Sequence, residues 1–122
     1  MPYTTTWTQY GVIWKYTGIL TGEELLQSNM DIYGDERFDD LLYQIVDLSE
    51  VESVTVTPAW IRKIVHLDMA AAHTNPRIRV AVIDGKPLNE IYCENANEAH
   101  WPTKDFDTME AALAWVQEFS RT

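Results

Sequence analysis

The sequence predicts an α/β fold: a mixed sheet with an N-terminal hairpin, a parallel βαβ half and about four helices. Three observations carry this. Two β-rich runs meet near Gly11 at the N-terminus. Two short, almost wholly apolar runs follow, "LLYQIVDL" and "RIRVAVID", the first of them too short for a helix between its flanks. From residue 41 onward strand patterns alternate with helix patterns, which implies parallel pairing through crossover helices.

The elements follow in order. "YTTTWTQ" and "GVIWKYTG" read as an antiparallel hairpin. "TGEELLQSNMDIYG" reads as a helix in which Thr21 and Glu24 form a capping box. Leu25, Leu26, Met30 and Tyr33 make its apolar stripe, and Gly34 ends it. "LLYQIVDL" is expected as a central strand covered on both faces, ending at Asp47–Leu48 and followed by a polar loop. Thr57 then caps a helix over 58–73, with Pro58 at its first position and Trp60, Ile61, Ile64, Val65, Leu67, Ala71 and Ala72 on its buried side. "RIRVAVID" is the second buried strand, ending at Asp84. "GKPLNEIYCENANEAH" is a helix opened by Pro87, and "TKDFD" a short last strand. "DTMEAALAWVQEFS" closes the chain as a helix, with Asp107 and Glu110 as a second capping box and Met109, Ala112, Leu113, Val116 and Phe119 facing inward.

No repeat, linker or low-complexity tract divides the 122 residues, so residues 1–122 are read as a single domain. A hydrophobic fraction of 46% with five tryptophans is that of a chain with a real core. No apolar run is long enough to cross a bilayer, and "MPYTTTWTQYG" lacks a basic region followed by an apolar one; neither a membrane span nor a secretory signal is expected. A lone cysteine, Cys93, cannot form an internal bridge, which fits a reducing cytoplasm. The net charge of −10, from nine basic against nineteen acidic residues, argues against nucleic acid or an anionic membrane surface as partner. Its plain role is solubility, as in a bacterial-style soluble protein.

Several phrases in this order are similar to the SpoIIAA-like proteins of the STAS superfamily (sulfate transporter and anti-sigma-factor antagonist). They are "GVIWKYTGILTGEEL", "RFDDLLYQIVDLSEV", "AAAHTNPRIRVAV" and "TMEAALAWV", spread over roughly residues 10 to 117. The resemblance implies a SpoIIAA-like, STAS-like domain and a regulatory role without catalysis. Anti-sigma-factor antagonists carry a segment of the form "DLSGVxxIDSSG" that ends in a phosphorylated serine at a helix start. Asp47, Leu48, Ser49 and Val51 match its first half. The second half departs, with Thr55 in place of the aspartate, Val56 and Thr57 in place of the serines, and Pro58 in place of the glycine. Thr57 keeps a hydroxyl where the resemblance places the phosphoacceptor, while its role as a helix cap, worth roughly 1 kcal/mol, explains it structurally. A phosphate there would meet the positive end of the helix.

Asp47 and Asp84 end neighbouring strands in this reading. The carboxyl ends of parallel strands share an edge where ligands bind, so Asp47, Ser49, Thr57 and Asp84 are expected to gather in one binding cleft with Lys86 near its rim. The plainer explanation of both aspartates is that they bond loop amides. No catalytic set is recognised, because no histidine or cysteine can be placed beside them. His66 and His73 lie about two turns apart on one helix, roughly 10 Å, too far to share an ion; no metal and no cofactor are expected. Cys93 is read as a small buried apolar residue. Trp60, Trp115, Trp7 and Trp14 are read first as core, and Trp101 as the tryptophan most suited to exposure. A hairpin face left bare by helices would bury against a second copy as a homodimer. The function expected is thus a non-catalytic interaction or regulatory module that binds a protein partner or itself. The alternative is a carrier or sensor for a small apolar ligand or lipid, held between aromatic helix faces and the sheet.

Overall fold

The computed structural model describes residues 3–85 and 101–120, with side chains as far as residue 118. Its centre is a five-stranded sheet in the order β1-β2-β3-β4-β5. These are β1 Tyr3–Trp7, β2 Gly11–Thr21, β3 Tyr43–Thr55, β4 Arg79–Ile83 and β5 Thr103–Phe106. β1 and β2 pair antiparallel, and every other neighbouring pair is parallel. The apolar runs at 41–48 and 78–83 therefore do lie side by side in one direction, with Tyr43 opposite Arg79 and Asp47 opposite Ile83.

Side chains alternate across the sheet with period two, so each strand feeds two cores. On one side Val12, Trp14, Tyr16, Leu20, Leu48 and Val82 pack with Leu25 and Ile32 of α1 (Gly22–Tyr33) and with Ile61, Ile64 and Val65 of α2 (Pro58–Thr74). On the other, Tyr43, Ile45, Ala81 and Ile83 pack with Ala112 and Val116 of α3 (Met109–Ser120). Three α-helices, not about four, stand among the described residues; a short 3₁₀ turn, Glu36–Asp40, precedes β3. The helix expected from Pro87, with Lys86 and Cys93, lies outside the described residues.

The largest departure from the sequence reading is the length of β3. The expected strand stopped near Leu48, yet β3 runs on to Thr55 along the second half of β2. Two bulges hide this in the sequence. Lys15 faces Asp47 while Thr17 faces Glu50, and Gly18 faces Val51 while Ile19 faces Ser53, so β3 inserts an extra residue each time. The second insertion lets Val51 and Val54, three apart, face the same core opposite Gly18 and Leu20. The alternation that marks a strand is broken, and "SEVESVT" reads as a loop.

Three smaller expectations also change. The closing helix is capped one residue later than expected: Thr108 Oγ1, not Asp107, accepts from the Ala111 amide at 3.2 Å. Met30 is 50% exposed instead of lying in the apolar stripe of α1. Trp101 is buried, its indole N–H donating to the Asn75 carbonyl at 2.9 Å and its ring lying against Tyr33 and Phe38. Asn75 organises that corner: its Nδ2 donates to the carbonyls of Phe38 and Leu41, and its Oδ1 accepts from the Arg77 amide.

Candidate functional site

The end of the sheet at Asp47 is assembled by β3 and β4. Asp47 is 8% exposed and lies level with Lys15 of β2 and Ile83 of β4. It sits in mid-strand at the first bulge, where its Oδ1 accepts from the Ser49 amide at 3.0 Å. The carboxylate thus satisfies an amide that the bulge takes out of the ladder. Ser49 is exposed beside it. The bulge also places Glu50 on the same face as Lys15, and the two form an ion pair at 3.3 Å between half-exposed side chains. An exposed pair of this kind contributes little to stability.

Asp84 follows the last residue of β4, exposed, and is the one described non-glycine residue with positive φ, at 53°. Aspartate tolerates this left-handed conformation better than most residues. Its amide donates to the Phe106 carbonyl at 3.0 Å, which ties the turn to β5. Asp47 therefore lies level with the last residue of β4, and Asp84 is the residue that follows it.

Thr57 is placed elsewhere. Thr55 lies opposite Thr21, whereas Asp47 lies opposite Lys15. Six residues of β2 separate these levels, roughly 20 Å at the ordinary strand rise. The four residues do not form one cleft: β3 carries its paired arm between them. At the far end of that arm α2 begins against α1, and Gly22 is the reason they meet closely. A Cβ built on Gly22 would stand 2.3 Å from the Trp60 ring. Thr57 is exposed and has the extended backbone of a cap (φ −86°, ψ 160°), but its side chain makes no capping bond. Its carbonyl accepts from Ile61, and Pro58 has no amide to satisfy. Thr21, at the start of α1, does form its expected cap, accepting from the Glu24 amide at 3.2 Å.

The arm between the two ends exposes Ser49, Glu50, Glu52, Ser53, Thr55 and Thr57, a polar and acidic strip suited to hydrogen bonding across an interface. Among the described residues no group of three or more His, Cys, Asp or Glu side chains is placed to hold a metal ion, and no helix is long and apolar enough to cross a membrane. His66 and His73 both stand on the exposed side of α2. Burial acts strongly on one hydroxyl of the core: Tyr16 is pushed well above the ordinary tyrosine range by desolvation, partly offset by its hydrogen bond with Ser28.

The fold is that of known solved structures. The chain aligns with the anti-sigma factor antagonist SpoIIAA in its unphosphorylated form at a TM-score of 0.66 and 14% identity, over 94% of this chain and 97% of the other. The phosphorylated form of SpoIIAA, described as a Bacillus cell fate determinant, aligns at 0.64 and 13%, over 93% and 98%. An uncharacterized protein of the DUF3478 family with a SpoIIAA-like fold, from Shewanella loihica PV-4, aligns at 0.53 and 20%, over 93% and 91%. No family model matches the sequence, and no curated protein does. The chain has a SpoIIAA-like fold.

Proposed function

We propose that this chain is a non-catalytic regulatory module of the cytoplasm that binds a protein partner through the outer strip of β3 and the start of α2, and that it also associates with itself. The observation that carries the reading is Thr57: an exposed hydroxyl at the N-terminus of a 17-residue helix, released from capping, at the end of an exposed polar arm. A cap that serves only the helix would be expected to bond an amide of the first turn. The neighbours support it further, since SpoIIAA is an anti-sigma factor antagonist solved in unphosphorylated and phosphorylated forms. Negative charge at Thr57 would lie at the positive end of α2 and change the face seen by a partner without unfolding it. Asp47, Ser49 and Asp84 form the second part of the contact surface, at the other end of the arm.

The test is co-purification from the source cells with wild-type, Thr57→Ala and Thr57→Glu chains. Capture of a defined partner by wild type and Thr57→Ala, and its loss with Thr57→Glu, is the expected result. Identical capture by all three overturns the switch at Thr57.

A further inference from the structure

Among the described residues the sheet is open along β1, along β5, on the outer side of β3 beyond Asp47 and on the β1 side of β2 beyond Tyr16. The first three of these stretches are built differently. β5 is four residues long and carries exposed Lys104 and Asp105. The outer side of β3 beyond Asp47 carries two bulges, Glu50 and Glu52. Short length, charge and bulges are the devices that keep strand edges from pairing. β1, five residues long, carries neither charge nor bulge. It is uncharged, unbroken in register with β2 from Tyr3 opposite Tyr16 to Trp7 opposite Val12, and its sequence "YTTTW" is symmetric in residue type about Thr5.

Its hydrogen-bonding groups can be assigned. The Thr8 amide donates to the Gly11 carbonyl at 2.8 Å, which makes Thr8 and Gly11 a bonded pair. Bonded and non-bonded pairs alternate along an antiparallel ladder. Thr6 and Thr4 therefore turn their backbone groups to β2, while Tyr3, Thr5 and Trp7 turn theirs outward. Both ends of the strand are also held: Tyr3 Oη donates to Asp31 at 3.0 Å, and the Arg37 guanidinium lies 3.8 Å over the Trp7 ring. An edge held in this way loses little freedom on pairing.

We infer that β1 is a dimerisation edge that pairs antiparallel with β1 of a second copy of this chain, about a two-fold axis at Thr5. In that register Thr5 meets Thr5 of the other copy, Thr4 meets Thr6, and Tyr3 meets Trp7, so every outward amide and carbonyl finds its counterpart. Threonine pairs and aromatic pairs are among the favourable cross-strand combinations. Charge is complementary as well: the acid beside Tyr3, Asp31, approaches the cation over Trp7, Arg37, which already holds Asp35 at 2.8 Å. The inference deepens the self-association proposed above. Its failure is separable from that of the Thr57 switch, which is read by partner capture and not by mass.

The test is sedimentation velocity of the whole chain over a concentration series, with amide hydrogen exchange. Wild type is expected to dimerise, with the Tyr3, Thr5 and Trp7 amides gaining protection as concentration rises. Thr5→Pro, which removes an outward amide, and Thr5→Lys, which sets two cations together at the axis, are each expected to raise the dimer dissociation constant about tenfold or more. Where Thr5→Pro loses its folded circular dichroism spectrum, Thr5→Lys decides. A wild-type chain that stays monomeric to roughly 1 mM overturns the inference. So does a folded Thr5→Lys chain that dimerises like wild type.

Discussion

The two halves of β3, one mainly apolar and one rich in Ser and Glu, are continuous in backbone and live in opposite surroundings. From Tyr43 to Asp47 the strand lies between β2 and β4, with helices over both faces, and Ile45 is fully buried. From Ser49 to Thr55 it has β2 on one side, and only Val51 and Val54 reach the core. The first half is held by what it buries. The second is held by its ladder with β2, and keeps most of its side chains in solvent. One continuous strand can thus anchor a fold and present a surface, with a bulge marking the change.

The largest expected difference between the halves is energetic. Ile45→Ala should destabilise the chain by about 3 kcal/mol in urea unfolding, through lost transfer energy and a cavity beneath α3. Ser53→Ala, on the exposed arm, should stay within about 0.5 kcal/mol of wild type. Equal costs would break the comparison outright.

Glycines sharpen it, because each half of β2 uses one for a different reason. A Cβ on Gly11 would stand 2.2 Å from the Tyr43 ring, so Gly11→Ala forces the first residue of β3 to move and should cost about 1–3 kcal/mol. Gly18, beside the arm, has open space around it but a φ of +71°. Gly18→Ala should therefore cost about 1 kcal/mol from the backbone alone. A crystal structure of Gly11→Ala should show Tyr43 displaced, and one of Gly18→Ala no displaced neighbour.

At the arm's far end two threonines open two helices and should behave differently. Thr21→Ala removes a capping bond and should cost about 1 kcal/mol by the same assay. Thr57→Ala removes none, and should cost less than about 0.5 kcal/mol. A loss of equal size at Thr57 would return that residue to a purely structural duty.

The smallest effect lies outside both halves, at Asp35. The Arg37 side chain, and then its backbone amide, hold this carboxyl at about 2, below its ordinary 3.8. A depressed folded value contributes stability above the ordinary value, and that contribution is lost as pH falls through about 2. Carboxyl NMR should place the Asp35 midpoint there. The exposed site makes the accompanying change in unfolding midpoint slight.

Much of the fold was legible because hydrophobic pattern and capping are local. The hairpin, the Thr21 cap and the inward faces of α2 and, as far as Val116, of α3 are legible in short windows, and the parallel pairing of the two apolar runs in the alternation of strand and helix patterns between them. The candidate site was legible only in part. Asp47 lies level with Ile83, the residue before Asp84, whereas grouping Thr57 with them depends on a β3 that stops near Leu48. A bulge changes which side chains align without leaving a signature in composition, so "SEVESVT" looked like a loop. Trp101 was misread for a related reason: between two elements nothing local shows that Asn75 supplies a carbonyl for its indole.

The sequence by itself determined the order of elements, the sign of the surface charge and the sites where helices begin, since these follow from backbone propensity, side-chain periodicity and counting. The tertiary structure decided where β3 ends, that Asp47 lies in mid-strand, that Trp101 is covered, and that β1 and β5 flank the sheet. Those outcomes depend on partners far away in the chain, and pairing across a sheet is settled by what stands opposite, which no short window of residues contains.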